Sequence, residues 1–339
     1  MKSIKCIIAA MILAIAPVMA GQAPGQNGLM AFWYESSDVA RSLAVGDPAG
    51  SDFEIIVDSD ADPVISFIGH TSWSPDGNRI AFSAFDDDLD EWVLYVVNVD
   101  GTGLEMLYWD DDGSPEPLEE CYNFEWAEDG MIYAACFGDS PDGMAVFDPD
   151  SGQVDHLCSG DLQQNPALSP DQQTLVSVDW GNVIQISPAS DPCDVSTIST
   201  TPDDIEPSHT IWAPDGNTIF FTDRSGANPR DIAAVSASGG SVTVVVENAF
   251  TPNPSPDGQL LGYVDWDSRH VTISDVDGSN PVDLFAQWGI DGEAGGLSWA
   301  PAQVPPVEPL AVPTQSKASL ILLILLLAGL GLLAVRRVF

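Results

Sequence analysis

Positive charge is the property that this chain most lacks. Its 339 residues include 10 lysines and arginines against 51 aspartates and glutamates. The segment Gly21 to Ala311 holds all 51 acidic residues, no lysine and five arginines, which leaves a net charge of −46. Phosphate binding needs a basic face, so this charge argues against nucleic acid as a partner. It also argues against docking on an anionic lipid surface and favours a heavily solvated exterior.

Motifs for catalysis are missing as well. The chain has no Gly-x-Ser-x-Gly nucleophile elbow, no Cys-x-x-Cys pair and only four histidines. The first absence argues against an α/β-hydrolase active site. The second argues against a zinc site built from cysteines. We therefore expect no catalytic residues and no obligatory cofactor.

Cysteine is scarce, and its placement favours disulfides. Beyond Cys6, which lies in an N-terminal apolar segment, the chain has Cys121, Cys136, Cys158 and Cys193. An even number in an exported protein predicts disulfides, with three possible connectivities. Cys121 and Cys136 lie symmetrically about a predicted turn at Glu128 and Asp129, so they should face each other on a hairpin. Cys158 and Cys193 would then form the second pair.

Both ends of the chain lie outside the predicted folded domain. Residues 1–20 combine two lysines, an apolar run and the small-residue pattern Val18-Met19-Ala20, as in a secretory signal peptide. Residues 301–317 contain five prolines and predict an extended linker. Ala318 to Val335 is an apolar stretch of 18 residues before Arg336 and Arg337, long enough to cross a bilayer. Residues 318–339 therefore predict a transmembrane anchor with the domain outside the cytoplasm.

The C-terminal segment from Val312 to Phe339 also has a recognisable order of parts. A Pro-Thr pair at Pro313 and Thr314 is followed by the apolar stretch and the terminal arginines. This arrangement resembles the IPTL-CTERM sorting signal of Gram-negative bacteria, although Gln315 stands where that motif has leucine. The resemblance implies export to the periplasm or cell surface, membrane retention through the C-terminal helix, and a sorting protease as a partner.

An internal repeat organises the middle of the chain. The motif Trp-Ser-Pro-Asp-Gly or a close variant occurs five times, with its aspartates 53, 42, 44 and 42 residues apart. A truncated copy closes the series. The copies begin at Trp73, Trp126, Leu168, Trp212, Pro254 and Trp299. Proline and glycine suit a tight hairpin turn, and the apolar run after each copy predicts a buried strand.

The period predicts four strands in each unit, which is the layout of a propeller blade. Leu29 to Trp33 looks like a second strand without a first, whereas Gly296 to Trp299 looks like a first strand without a second. Together they complete one blade. We therefore predict an all-β, six-bladed β-propeller over residues 21–300, with a ring closed by its N- and C-terminal strands.

The repeated motif resembles that of TolB-type propellers, whose consensus is close to Trp-Ser-Pro-Asp-Gly followed by an apolar strand. Propellers of this type serve as periplasmic binding proteins, as the non-catalytic half of peptidases, and in some cases as lyases. The resemblance thus implies a module that binds a protein, peptide or glycan, since a fold alone does not fix an activity. A metal-dependent polysaccharide lyase or hydrolase-like enzyme is the alternative.

One repeat position gives the candidate site. It lies three residues before the motif and should enter the innermost strand at one mouth of the central channel. Its occupants around the ring are His70, Asn123, Asn165, His209, Thr251 and Gly296. The polar members could bind a ligand or cap strand ends, and the two histidines could hold a metal. Asp86, Asp88 and Asp90, in a loop between strands, form a weak calcium candidate.

Overall fold

A computed structural model describes most of the region that carries the repeats. The described residues are 27–50, 52–61, 64–109, 116–117, 121–136, 143–158, 164–179, 181–198, 200–202, 204–225 and 230–301. The predicted signal peptide, linker and C-terminal helix all lie outside these ranges. Within the described ranges, no helix is long and apolar enough to cross a membrane.

The described strands form six antiparallel blades, which confirms the predicted architecture. From the innermost strand outward, blade 1 contains Glu293–Trp299, Met30–Glu35, Ser42–Gly46 and Phe53–Val57. Blade 2 contains a divided inner strand, Ile65–Ser66 and Thr71–Trp73, then Arg79–Asp86, Glu91–Asn98 and Glu105–Met106. Blade 3 contains Cys121–Trp126, Ile132–Cys136, Gly143–Phe147 and Val154–Cys158.

The remaining blades repeat this order. Blade 4 contains Gln164–Leu168, Thr174–Val178, Ile184–Pro188 and Ser196–Thr197. Blade 5 contains Pro207–Trp212, Thr218–Asp223, Asp231–Ser236 and Thr243–Val246. Blade 6 contains Ala249–Pro254, Leu260–Asp265, Val271–Asp275 and Val282–Asp283. Two short pairs lie outside the blades: Tyr108–Trp109 with Glu116–Pro117, and Thr200–Thr201 with Gly240–Ser241.

Blade 1 closes the ring in the predicted way. Its innermost strand comes from the end of the described region, and it pairs antiparallel with the first strand of the chain, with Met30 opposite Trp299. Closure removes the free sheet edges that an open array of blades would expose. The apolar cores consequently lie between successive blades, where for example Val176 of blade 4 packs in one cluster with Phe221 of blade 5.

The repeated motif forms the turn between the first and second strands of a blade. In the first copy the Ser74 hydroxyl donates to Asp76, and Asp76 accepts from the backbone of Asn78. Gly77 takes a left-handed φ of 65°. Gln172, which replaces glycine in the third full copy, takes φ 59° and keeps the turn. The loss of glycine therefore strains that turn without altering the blade.

The tryptophan of the motif joins neighbouring blades. Its indole N–H donates to a main-chain carbonyl of the preceding blade in three copies. The pairs are Trp73 to Ser298 at 3.3 Å, Trp212 to Ala167 at 3.1 Å and Trp299 to Asn253 at 2.9 Å. In blade 3 the indole of Trp126 instead donates to Gly130 in its own turn. The motif thus provides both a tight turn and a bond between blades.

The cysteine register agrees with the hairpin prediction at the level of the backbone. Cys121 lies directly opposite Cys136 on the first two strands of blade 3. The side chains of Cys121 and Cys158 are outside the described ones, so the pairing itself stays a prediction.

Candidate functional site at the channel mouth

The repeat position of His70 falls at or beside an irregularity of the innermost strand. In blades 3 to 6 the pairing with the second strand shifts register there. In blade 2 the strand is interrupted before Thr71. His209, Thr251 and Gly296 have left-handed φ values of 50°, 53° and 62°. A bulge of this kind changes the direction in which a side chain points. It therefore allows the innermost strand of each blade to direct the same repeat position toward the channel.

His70 is held by the neighbouring blade. Its Nε2 lies 3.1 Å from the carbonyl oxygen of Phe124, and its ring meets the Phe124 ring edge-on at 5.1 Å. The Nε2–H tautomer donates to that carbonyl. Burial lowers the pKa of His70 to about 4, although the bond to Phe124 acts in the opposite direction. The imidazole is therefore neutral at neutral pH.

His209 occupies the equivalent place in blade 5. Its Nδ1 lies 3.3 Å from the hydroxyl of Ser208. Burial, followed by repulsion from a protonated His70 and from the charges of Arg230 and Arg224, lowers the pKa of His209 to about 3. The structure thus brings the two histidines close enough to interact electrostatically, as the repeat predicts, and both are neutral.

Thr251 has an unsatisfied hydroxyl. The residue is 8% exposed, and its Oγ1 is buried without a hydrogen-bond partner. Its backbone N–H donates to Thr222 of blade 5 at 3.0 Å. A buried polar atom without a partner is costly and is often completed by water or a ligand. Asn123 and Asn165 lie on innermost strands, but their side chains are outside the described ones.

His70, His209 and Thr251 line one cavity of about 290 Å³ on the propeller axis. Much of its wall is apolar, and the apolar residues come from all six blades. They include Trp73, Phe124, Trp126, Pro166, Leu297 and Trp299. A cavity with a mainly apolar wall and a few convergent polar groups is typical of a binding site. It offers hydrogen bonds from neutral imidazoles and packing against aromatic rings.

A second cavity of about 780 Å³ opens among the turns of the repeated motif. The motif prolines line it in five of the six copies, and Glu128 replaces proline in the other. The five are Pro75, Pro170, Pro214, Pro256 and Pro301. Seven residues line both cavities: Glu125, Trp126, Glu128, Ile211, Pro254, Pro256 and Pro301. These residues therefore lie where the two spaces approach each other.

Sequence reasoning missed Glu125. One of its carboxylate oxygens accepts a hydrogen bond from the backbone N–H of Leu168 in blade 4. Burial raises the pKa of Glu125 to about 7, opposed by that bond and reinforced by the charge of Asp129. Ser72 and Asn253 hold the same repeat position, and each also accepts a backbone N–H of the next blade. The repeat register could have identified Glu125 as the charged member of this ring.

The metal sites predicted at the two histidines and in the loop of Asp86, Asp88 and Asp90 stay predictions. In the described part of the chain, no three metal-ligating side chains gather at one place. Asp86 is 1% exposed and accepts from the backbone of Asp88 and Leu89 and from the Tyr95 hydroxyl. Calcium binding by Asp86 would compete with these bonds, whereas Asp88 and Asp90 are exposed.

Solved structures with a similar fold include TolB proteins. TolB from Acinetobacter baumannii superposes with a TM-score of 0.62 at 17% identity, covering 81% of this chain and 67% of that one. A protein assigned as TolB from Agrobacterium tumefaciens gives 0.52 at 16% identity, covering 76% and 88%. A chain of the nidogen–laminin complex gives 0.59 at 14% identity, covering 81% and 99%. At such identities the likeness establishes the TolB-type six-bladed propeller fold.

Sequence comparison adds little to this likeness. No family model matches the chain. An uncharacterised protein of Agrobacterium fabrum is 29% identical over 103 residues, which is 26% of this chain. The match spans about a third of that relative, 35% of its length.

Proposed function

We propose that this chain is an exported binding module that holds a protein or peptide segment at the mouth of its propeller channel. The observation that carries the proposal is the cavity where His70, His209 and Thr251 converge. Its aromatic and proline-rich wall suits an extended peptide, and its polar atoms suit main-chain amides.

The chemistry of the mouth supports binding over catalysis. The Ser208 and His209 contact of 3.3 Å joins sequence neighbours, and no described carboxylate bonds to that imidazole. A nucleophile needs a base that a third group orients. Two neutral histidines with no third ligating side chain gathered beside them among the described residues also make a poor metal centre. The proposal therefore assigns the module no chemical step of its own.

The ends of the chain complete the proposal. Residues 1–20 direct export, residues 301–317 form a spacer, and residues 318–339 retain or sort the protein at the membrane. The TolB-type fold of the described region is consistent with a periplasmic or cell-surface place in a Gram-negative bacterium. Protein binding is also consistent with the propeller fold of the nidogen–laminin complex.

The test is selection of an unbiased displayed peptide library on the immobilised full-length chain. We expect enriched peptides to lose at least about tenfold in affinity for Ile211→Trp, because residue 211 lines both cavities and a larger ring there takes contact area from a bound peptide. Val244→Trp adds the same ring to the exposed outer strand of that blade and serves as control. No enrichment, or equal binding to both variants, would refute the proposal.

Metal content of the same preparation separates the enzyme alternative. Purification without chelator should leave less than one manganese, zinc or calcium ion per chain. A stoichiometric metal whose binding is lost in His70→Ala or His209→Ala would move the assignment to a metal-dependent lyase.

A further inference from the structure

Three of the five arginines of the acidic domain gather beside the channel mouth. Arg224 and Arg230 flank the loop between the second and third strands of blade 5, and Arg269 lies in the corresponding loop of blade 6. Arg230 and Arg269 both lie against the ring of Trp266, with guanidinium carbons 5.2 and 4.2 Å from its centre. The group formed by Arg224, Arg230, Arg269 and Trp266 is called the arginine cluster below.

Among the residues that the structure describes, the arginine cluster has no carboxylate partner, although the protein is strongly acidic. Elsewhere in the described region Arg41 pairs with Glu35 at 3.2 Å and Arg79 with Asp150 at 2.8 Å. None of the three clustered arginines forms such a pair with a described residue. The neighbouring carboxylates instead accept backbone N–H groups: Asp223 from Glu206 and Ser225, Asp231 from Asn248, and Asp265 from Asp267 and Ser268. Like charges held together without a counter-charge repel one another, so the arrangement favours an external anion.

Main-chain contacts connect the arginine cluster to the cavity wall. The Arg230 carbonyl accepts the N–H of Ala249 at 2.8 Å, and Arg269 lies over the Phe250 ring at 5.3 Å. The next residue is Thr251, which lines the cavity and has a buried Oγ1 without a hydrogen-bond partner. The charges of Arg230 and Arg224 also lower the pKa of His209, which places them near the mouth.

From this arrangement we infer that the arginine cluster binds carboxylate groups of an acidic peptide whose chain runs into the channel mouth. Planar guanidinium groups form paired hydrogen bonds with carboxylates. Trp266 already stacks with two guanidinium groups, which leaves little of its ring for a sugar and favours a peptide over an acidic glycan. The mainly apolar cavity wall suits the uncharged residues of the same peptide. This inference rests on the proposed function and names the ligand class of the same mouth.

Fluorescein-labelled octapeptides test the inference by anisotropy with the full-length chain. One alternates glutamate with proline, and its counterpart alternates glutamine with proline. At about 0.15 M salt, where the Debye length is about 8 Å, distant charges are screened and local contacts dominate. We expect the glutamate peptide to bind at least about tenfold more tightly, since charge-assisted bonds exceed neutral ones.

Matched variants test whether the arginine cluster causes the preference for the glutamate peptide. Arg230→Gln and the exposed Arg224→Gln should each weaken the glutamate peptide about tenfold and leave the glutamine peptide unchanged. Arg79→Gln removes the same charge from a paired arginine and should have no effect. Near-ultraviolet circular dichroism checks that each variant is folded, and Arg224→Gln remains informative if Arg230→Gln is not.

Each failure has a separate meaning. If the two peptides bind equally, or Arg79→Gln matches Arg230→Gln, the inference is wrong. If oligogalacturonate of similar length binds more tightly than the glutamate peptide, the peptide assignment is also wrong. In these cases the proposed function survives as long as library peptides still distinguish Ile211→Trp from Val244→Trp. If library peptides bind these two variants equally, both the inference and the proposed function are wrong.

Discussion

Single residues at the mouth give the protein a predictable response to acid. The folded-state pKa values of His70 and His209, about 4 and about 3, lie below the ordinary histidine value. The unfolded chain therefore binds protons below about pH 6.5 while the folded chain does not, and stability falls as the pH drops toward about 4. Each histidine should cost about 2–3 kcal/mol between pH 7 and pH 4.5.

His70→Gln isolates this contribution, because glutamine has a donor for the Phe124 carbonyl and does not titrate. Urea unfolding at pH 7 and pH 4.5 should show a smaller loss of unfolding free energy in His70→Gln than in the wild type. Equal losses in the two proteins would mean that His70 is protonated in the folded state at pH 4.5.

The pKa of Glu125 is shifted in the opposite direction to destabilise the fold at high rather than low pH. Its folded-state pKa of about 7 lies above the ordinary value for glutamate, so its neutral form is favoured at acidic pH and stability is lost as the pH rises through 7. Glu125→Gln, which can still accept the Leu168 N–H, should raise the unfolding free energy at pH 8 by about 1–3 kcal/mol. It should have little effect at pH 5. The exposed Glu128→Gln serves as control, and an equal gain at both pH values would contradict the assignment.

For single residues, the sequence predicts the place in the ring better than it predicts the contacts of the side chain. The repeat register located His70, His209 and Thr251 at one level of the ring. It could not show the buried state of the imidazoles or the unpaired Thr251 hydroxyl, because both depend on contacts with a neighbouring blade. The arginine cluster was missed for the same reason, since Arg230 and Arg269 are 39 positions apart in the chain and meet through Trp266.

Among structural elements, the motif tryptophan makes a testable link between blades. Trp212→Phe keeps an aromatic ring in the core but loses the indole bond to the Ala167 carbonyl. The change should cost about 1–2 kcal/mol, because one hydrogen bond is lost and a buried acceptor is left unpaired. Equilibrium urea unfolding measures this loss.

Trp126→Phe is the matched control, because its indole N–H bonds within its own turn and makes no hydrogen bond to another blade. It should cost less than Trp212→Phe. A larger loss in Trp126→Phe would show that ring packing, including the Arg79 guanidinium 4.8 Å from the Trp126 ring, outweighs the link between blades.

Short elements that depend on tertiary contacts could not be predicted from the sequence. The helix Leu284–Trp288 has five residues, too few for a periodic pattern to predict. It depends on Asp283, which caps its first turn, and on Gly289, which ends it at φ 71°. The long strands of each blade were predicted correctly, since dense β-branched and aromatic runs follow each turn.

At the level of the whole molecule, the six-bladed ring was predictable from two incomplete sequence units. The first strand of the chain lacked a partner at its own end, and the last motif copy supplied one. Pairing of Met30 with Trp299 confirms that reasoning. The structure adds a steric reason for the glycine at the ring position of the closing blade, where Gly296 faces the carbonyl of Gly69 in blade 2.

Gly296→Ala should therefore damage ring closure more than an ordinary strained turn would. A Cβ atom there would lie much closer to the Gly69 backbone oxygen than the sum of their van der Waals radii allows, at a φ of +62°. Gly216→Ala is the control, because its φ is +68° but its nearest neighbour is 4.0 Å away. The control should cost about 1 kcal/mol of backbone strain, a Tm loss of about 3 °C. Gly296→Ala should lower the Tm by about 6 °C or more, since relieving the clash must move two blades apart. Equal shifts in the two variants would show that the closing strand yields without cost.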